Sequence, residues 1–208
     1  MFRFVAPALG WLLLTGCNAP PEGLQITLVP EMPTTEDALT VEVVEAAVDP
    51  QDDPVTLLYT WTVDGQVAPV EGSTVSPDLT TRDQVWSVQV TPTDGALEGV
   101  PAVADVTVVN ALPRATVSID PASPDTETVL SAVVDSEDPD GDDVVLSWAW
   151  QQDGEDAGIS VGEVQPESTS RGEQWTAVLT LSDGIDTAGP FLSAPVGIGN
   201  LPPRGVVS

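Results

Sequence analysis

Apolar and polar residues alternate along several stretches of this chain with a period of two. From Val55 to Val63 every second residue is apolar or aromatic, and most residues between them are Thr. The same alternation runs from Val144 to Trp150. Because successive side chains of a strand point to opposite faces, the pattern predicts strands buried on one face. No stretch combines a helical period with helix caps, so we expect an all-β protein with little helix.

The chain contains two copies of one sequence pattern. Most matching positions lie 89 residues apart, and the linkers NALPR at 110–114 and NLPPR at 200–204 lie 90 apart. The 89-residue matches are Asp49-Pro50 with Asp138-Pro139, Tyr59 with Trp148, Trp61 with Trp150, Trp86 with Trp175, Asp64-Gly65 with Asp153-Gly154, and Asp94-Gly95 with Asp183-Gly184. Such self-similarity indicates a repeat protein. We therefore assign a first repeat to 24–112, a second to 113–201, and the start of a truncated third repeat or a tail to 202–208.

The alternation within each repeat predicts rows of inward-facing residues, and most of the aromatic residues fall on them. Asp-Gly pairs between the rows predict hairpin turns, because Gly favours and Asp tolerates positive φ angles. The second and third rows are Trp86, Val88 and Val90, with Trp175, Ala177 and Leu179 as their counterparts, and Ala104, Val106 and Val108. We interpret Trp61, Trp86, Trp150 and Trp175 as core residues, and Tyr59 and Trp148 as lying on the same inward face. The alternative is an aromatic platform for a sugar or a protein partner.

The first residues, MFRFVAPALGWLLLTGC, have the layout of a secretory signal. Arg3 precedes an apolar run from Val5 to Leu14, which is too short to span a bilayer. The run ends in Leu14-Thr15-Gly16-Cys17, which resembles the lipobox of bacterial lipoproteins. The resemblance implies a signal peptide at 1–16, lipid attachment at Cys17 and a short tether at 17–23. Asn18, where lipoproteins retained at the inner membrane carry Asp, favours the outer membrane or the cell surface. The alternative is an ordinary secretory signal or a buried apolar start.

Composition excludes several classes of function. The 33 acidic residues face only five Arg, and the net charge is -28. A field of this sign repels nucleic acid, so we expect no nucleic-acid partner. Without His and with a single Cys, the chain has no Ser-His-Asp or Cys-His site, no usual zinc site and no internal disulfide. Composition still permits a carboxylate-only catalyst, but we expect no enzyme.

An acidic stretch in the second repeat is a candidate calcium site. Asp138, Asp140 and Asp142 stand at alternate positions around Gly141, flanked by Glu137 and Asp143. Calcium prefers such carboxylate oxygens, although the twelfth residue from Asp138 is Ala149, which rules out an EF-hand. No other cofactor is indicated. The equivalent stretch of the first repeat, with Asp49, Asp52 and Asp53, has irregular spacing. A second candidate is the junction between repeats, where Asn110 would meet Glu137 or Asp138 if the repeats stack end to end. The alternative is a plain turn without a metal ion.

The pattern as a whole is typical of an immunoglobulin-like β-sandwich. The Pro-rich opening, Thr-Glu, the Asp-Pro-Asp-Gly-Asp turn, a strand ending in Trp, a second Trp, an Asp-Gly turn and an Asn-x-x-Pro linker resemble the tandem Ig-like, PKD-like or cadherin-like repeats of bacterial envelope proteins. The resemblance covers Leu24–Ser208 and implies two tandem Ig-like domains, here without paired cysteines. We expect a non-enzymatic, lipid-anchored envelope protein that serves as a spacer or an adhesion module. The alternative is a carbohydrate- or protein-binding module with a weakly calcium-stabilised loop.

Overall fold

A computed structural model of the chain describes residues 18–201. The predicted signal peptide, the lipidation site Cys17 and residues 202–208 lie outside the described residues. The first repeat contains β1 (Gln25–Val29), β2 (Leu39–Glu45), β3 (Thr56–Val63), β4 (Gln66–Val67), β5 (Thr74–Val75), β6 (Val85–Thr93) and β7 (Ala102–Thr107). The second contains β8 (Arg114–Asp120), β9 (Leu130–Glu137), β10 (Val145–Gln152), β11 (Glu155–Asp156), β12 (Glu163–Val164), β13 (Gln174–Ser182), β14 (Thr187–Leu192) and β15 (Val196–Gly197). Within 18–201 the helices are single 3-10 turns at Pro77–Leu79 and Pro166–Ser168.

The two repeats have the same sheet order. In the second repeat one sheet has the order β12-β9-β8, and the other has the order β11-β10-β13-β14, with β15 also paired to β13. In the first repeat the sheets are β1-β2-β5 and β4-β3-β6-β7. Strands distant in sequence, such as β10 and β13, are antiparallel neighbours, as in an immunoglobulin-like sandwich. The predicted fold class, all-β with two tandem Ig-like sandwich domains, is confirmed.

The core of the second repeat lies between its two sheets. Ile119, Leu130 and Val164 come from the sheet of β8, β9 and β12, and they form one buried cluster with Trp150 and Trp175 from the other sheet. The two indole rings are 6.4 Å apart at 67°, an edge-to-face arrangement that aromatic pairs favour. The Trp150 Nε1–H donates a hydrogen bond to the carbonyl of Val161 at 2.8 Å. The cluster therefore buries large apolar area without an unsatisfied indole N–H.

The first repeat also has two buried indoles, those of Trp61 and Trp86. Trp61 donates from Nε1 to the carbonyl of Gly72 at 2.9 Å, as Trp150 does to Val161. Trp61, Trp86, Trp150 and Trp175 are each 2% exposed or less. Tyr59 and Trp148 are half-buried. The indoles therefore occupy the cores in place of the disulfide that many immunoglobulin-like domains use.

The Asp-Gly pairs form two different kinds of turn. Asp64 and Gly65 have φ angles of 50° and 77°, and the equivalent Asp153-Gly154 pair has 53° and 88°. Each pair joins two strands of a hairpin, as predicted for a type I′ turn. The other two pairs close their loops through a carboxylate instead. The Asp183 Oδ1 accepts the N–H groups of Ile185 at 2.8 Å and Asp186 at 2.6 Å, and Asp94 does the same for Ala96 and Leu97.

Backbone contacts divide the chain into two compact units. The first comprises the described residues up to Val29, together with Thr40–Thr74 and Ser87–Asp105. The second comprises Pro30–Leu39, Val75–Trp86 and the described residues from Val106 onward. The second unit therefore contains the whole second repeat and two segments whose sequence belongs to the first repeat.

Residues 18–22, predicted to belong to a tether, are bound to the first unit. Glu22 and Val48 exchange backbone hydrogen bonds of 3.0 and 2.9 Å. The backbone N–H of Ala19 donates to the Gln51 Oε1 at 2.8 Å. Pro21 packs so closely on Gly99 that a Cβ there would stand 1.9 Å from the Pro21 carbonyl oxygen. The tether prediction is corrected for these residues, because their backbone polar groups find partners within the repeat.

Candidate functional site: the acidic loop and Arg82

The acidic loop, defined here as residues 137–143, begins at the last residue of β9 and leads to β10. The side chain of Asp138 holds the loop in a turn. The Asp138 Oδ1 accepts the backbone N–H groups of Asp140 at 2.9 Å and Asp142 at 3.2 Å. Gly141 adopts a φ of 80°, which a residue with a side chain rarely does. One carboxylate oxygen each from Asp138, Asp140 and Asp142 lies within 4.8 Å of the others. The turn geometry therefore brings three of the five predicted ligands together.

The Asp140 side chain is only 3% exposed. Its Oδ1 accepts the hydroxyl of Thr35 at 2.5 Å, and its Oδ2 accepts the backbone N–H of Ala111 at 2.8 Å. Both donors lie far from the loop in sequence but within the same unit. Asp140 therefore joins three segments of the second unit through charged hydrogen bonds, which are stronger than neutral ones.

Arg82 places a guanidinium group against the acidic loop. Its Nη1 donates to the Asp142 Oδ2, and its Nη2 donates to the Asp142 Oδ1 at 3.3 Å. The same Nη1 lies 3.5 Å from the Asp140 Oδ2 and donates to the Asn110 Oδ1 at 2.8 Å. The hydrogen bond that Arg82 donates to Asp142 raises the pKa of Arg82 further above its ordinary value, so the guanidinium stays charged. The guanidinium offsets the mutual repulsion of the clustered carboxylates.

The other two predicted ligands, Glu137 and Asp143, lie outside this group of three carboxylates. The Glu137 Oε1 accepts the Arg114 Nε–H at 2.7 Å, while the Arg114 Nη1 donates to the Glu36 Oε1 at 2.6 Å. These two hydrogen bonds, Glu137 first, raise the pKa of Arg114. Asp143 is exposed. The group that surrounds a single point thus consists of Asp138, Asp140 and Asp142.

Asn110 reaches the acidic loop through Arg82 rather than through Glu137 or Asp138. Its Nδ2 donates to the Asp183 Oδ2 at 2.8 Å and the Asp186 Oδ2 at 3.0 Å. The Asn110 hydrogen bond is the main reason that the pKa of Asp183 lies below its ordinary value. Asn110 therefore contacts Arg82, Asp183 and Asp186, and not the Glu137 or Asp138 side chain expected at the predicted junction site.

The first repeat contains an equivalent loop, which no arginine contacts within the described residues 18–201. The Asp49 Oδ1 accepts the N–H groups of Gln51 at 2.7 Å and Asp53 at 3.1 Å. Ala19 donates to Gln51 as Ala111 donates to Asp140, and Asn18 donates to the Asp94 Oδ2 at 2.8 Å as Asn110 donates to Asp183. In both repeats an Asn-Ala pair is bound by two loops. The Oδ2 of Asp49 and that of Asp138 are both buried without a hydrogen-bond partner in the structure.

Sequence reasoning missed Arg82, although a signal was present. Arg82 and Arg171 are two of only five Arg in the chain, and they are 89 residues apart in the matching segments TTRDQ and TSRGE. An internal match of rare cations in such an acidic chain marks positions where a carboxylate partner is expected.

Tyr59, Trp61, Trp148 and Trp150 form no fully exposed aromatic platform. Trp61 and Trp150 are buried, and Trp148 packs against the backbone of Gly162, where a Cβ would lie 3.6 Å from its Nε1. A cleft of about 450 Å³ lies elsewhere in the second unit, beside Arg82. It is lined by polar and Pro residues, among them Thr35, Pro77, Asp78, Pro139 and Asp140.

The fold and site define an acidic repeat protein of tandem Ig-like domains. No protein-family model and no curated protein matches the chain. Among solved structures, three N-terminal domains of the outer capsid protein Hoc of bacteriophage RB49 align at 19% identity and a TM-score of 0.34, covering 88% of this chain and 59% of that one. The Yersinia pseudotuberculosis adhesin InvE aligns at 16% identity and 0.28, covering 84% and 58%. The chicken CNTN1 FN1-FN3 domains align at 13% and 0.32, covering 89% and 68%.

The chain therefore spans about three fifths of the phage protein's domains. Because all three TM-scores are below 0.5, the function proposed below rests on the chain's own residues. Among residues 18–201, no helix has the length and hydrophobicity needed to cross a membrane.

Proposed function

We propose that this is a non-enzymatic, lipid-anchored protein of the cell envelope, at the outer membrane or cell surface, whose Ig-like repeats act as a structural spacer or an adhesion and interaction module. The observation that carries the proposal is the network of Arg82, Asn110 and the acidic loop. In this network the clustered carboxylates bind an arginine and backbone N–H groups of the same unit. They hold segments of the protein together, as a repeat that serves as a building block requires.

The electrostatics also favour a role without catalysis. A carboxyl group that acts as a general acid near neutral pH needs a raised pKa. The pKa values of Asp94 and Asp183 shift downward instead. Backbone N–H groups of Leu97 and Ala96 are the main cause at Asp94, and the Asn110 side chain is the main cause at Asp183. Such groups stay ionised and suit structural contacts and the binding of basic partners. The partner classes proposed are the membrane, through the lipid, and a protein or glycan ligand.

The lipid anchor is tested by substituting Cys17→Ser in the full chain. We expect the parent protein to partition into the detergent phase of a Triton X-114 extraction and the C17S variant to move to the aqueous phase, because the variant lacks the acyl chains that bind a membrane. Asp143→Asn, an exposed substitution, serves as the control and should partition like the parent. A parent protein that stays in the aqueous phase and carries no lipid by mass spectrometry would contradict the anchor.

A second candidate function is a calcium-stabilised loop, favoured by the buried Oδ2 of Asp138 beside the Asp140 and Asp142 carboxylates. Calcium at millimolar concentration would stabilise such a loop by roughly 0.5 to 1.5 kcal/mol, given the weak affinity of extracellular modules. The expected result is a rise in melting temperature with calcium that Asp138→Asn abolishes. The matched control is Asp49→Asn, which alters the equivalent turn of the first repeat. A melting temperature that does not respond to calcium in the parent assigns the acidic loop to a plain turn.

A further inference from the structure

Arg171 is carried by a segment that is built like the one that carries Arg82. In both segments a Thr hydroxyl caps a 3-10 turn, from Thr80 to the Pro77 carbonyl at 2.8 Å and from Thr169 to the Pro166 carbonyl at 3.1 Å. The residue that follows each Arg has a left-handed backbone, Asp83 at 70° and Gly172 at 93°. The local structure therefore presents Arg171 in the same way as Arg82.

The second half of each segment is also anchored alike. The Gln84 side chain accepts the Thr81 N–H at 2.9 Å and the Trp86 Nε1–H at 3.0 Å. In the second repeat, Glu173 accepts the Ser170 N–H at 2.7 Å and the Trp175 Nε1–H at 3.1 Å. The buried indole fixes the arginine-bearing backbone in each case.

The strand that leads to the linker is bound next to each arginine. Asp83 donates its N–H to the Val108 carbonyl at 2.8 Å, and Gly172 donates to the Ile198 carbonyl at 2.9 Å. Asn110 comes two residues after Val108, and Asn200 comes two residues after Ile198. Each arginine thus lies beside the start of an Asn-x-x-Pro linker. At the first linker, Asn110 accepts a hydrogen bond from Arg82, and Ala111 donates one to Asp140 of the acidic loop.

Arg171 differs from Arg82 in its surroundings. Arg82 is three-quarters buried against Asp142, Asp140 and Asn110, whereas Arg171 is exposed and forms no ion pair within residues 18–201. In a chain with 33 acidic residues and five Arg, an exposed arginine held on a rigid segment is a ready donor for a carboxylate.

We propose that the end of the second repeat that carries Arg171 is a docking surface for the acidic loop of a further repeat of this kind, joined to the same chain through the Asn200 linker. The inference rests on the spacer function proposed above, which needs repeats fixed to one another. Arg171 takes the role of Arg82, and Asn200 takes that of Asn110. The residues Arg204-Gly205-Val206-Val207-Ser208 after this linker resemble Arg114-Ala115-Thr116-Val117-Ser118 at the start of the second repeat.

Net charge favours a repeat of the same chain over a second molecule. Two molecules of charge -28 repel each other, and one partly exposed ion pair is too weak to join them. A short linker raises the effective concentration of the neighbouring loop to the millimolar range or above, so the same weak contact forms within one chain.

The test uses the chain extended by one repeat, with a second copy of residues 111–201 placed directly after Asn200. Arginine and tryptophan are labelled with ¹⁵N, and the solvent exchange of each side-chain N–H is measured by NMR. Arg171→Gln in the original second repeat identifies the signal of that Arg171, the one followed throughout. The indole signals show that the added repeat has folded. We expect fast exchange at Arg171 in the parent chain, and exchange as slow as that of Arg82 in the extended chain.

The variants of the extended chain identify the occupant. Asp142→Asn in the added copy should restore fast exchange at Arg171, while Asp143→Asn in the added copy should not. Arg171 that still exchanges fast beside a folded added repeat, or that stays protected with Asp142→Asn, would overturn the inference. So would equal protection when separate parent molecules are mixed, because the occupant would then be a second molecule. None of these results bears on detergent partitioning, which tests the anchored function separately.

Discussion

Replacing Trp150 with alanine is expected to lower the free energy of unfolding of the second unit by roughly 3 to 5 kcal/mol, the usual range for removing a large aromatic side chain from a core. Trp150 is fully buried, packs edge-to-face on Trp175 and donates a hydrogen bond to the Val161 carbonyl. The substitution removes these contacts together and leaves a cavity between the two sheets. Since the chain has no internal disulfide to limit the unfolded state, the core carries most of the stability.

Urea unfolding followed by circular dichroism measures this effect, and two variants separate its causes. Trp150→Phe keeps an aromatic ring but leaves the Val161 carbonyl without its donor, so we expect a smaller loss, on the order of 1 to 3 kcal/mol. Trp148→Ala alters a half-buried indole two residues away on the same strand and should cost less than Trp150→Ala. Equal losses for W148A and W150A would show that the core does not centre on Trp150.

The fold was predictable because its determinants are local and occur twice. A period of two sets which face of each strand is buried, as the buried Trp86, Val88 and Val90 show. The Asp64-Gly65 turn follows from the φ angles that its two residues adopt. The same pattern recurs 89 residues later, so each strand and turn predicted in one repeat is predicted again in the other. The tether prediction is wrong for residues 18–22 because NAPP at 18–21 is bound in the same way as the later linker, with Asn18 making the same contact as Asn110.

The acidic loop was predictable in part. Alternate spacing and Gly141 bring Asp138, Asp140 and Asp142 together, and both are properties of seven consecutive residues. The partner of the loop was not predictable from spacing, because Arg82 lies 60 residues away from Asp142 and reaches it only through the tertiary fold. A turn motif specifies where its own carboxylates point, whereas the cation that neutralises them depends on which segment the fold places beside the turn.

The network around the acidic loop should depend most on Asp140. Replacing it with alanine is expected to lower the free energy of unfolding of the second unit by roughly 2 to 4 kcal/mol, because a buried hydrogen-bonded carboxylate is lost and its donors are left unpaired. The donors are the Thr35 hydroxyl, the Ala111 N–H and the Arg82 guanidinium. With Asp140 removed, Arg82 keeps Asp142 as its one ion-pair partner among residues 18–201.

Urea unfolding of D140A, compared with the parent, measures this loss, and Asp143→Asn provides the control at an exposed position of the same loop. D143N should lie within about 0.5 kcal/mol of the parent, as surface substitutions usually do. A double-mutant cycle of Arg82→Gln with Asp142→Asn should give a coupling energy of a few tenths to about 1 kcal/mol, because the pair is only partly shielded from solvent. A large loss for D140A together with measurable coupling would show that hydrogen bonds to Asp140 and the ion pair of Asp142 hold the segments jointly. A loss for D140A no greater than that for D143N would mean that the segments are held by apolar packing and that the acidic loop is free for another ligand.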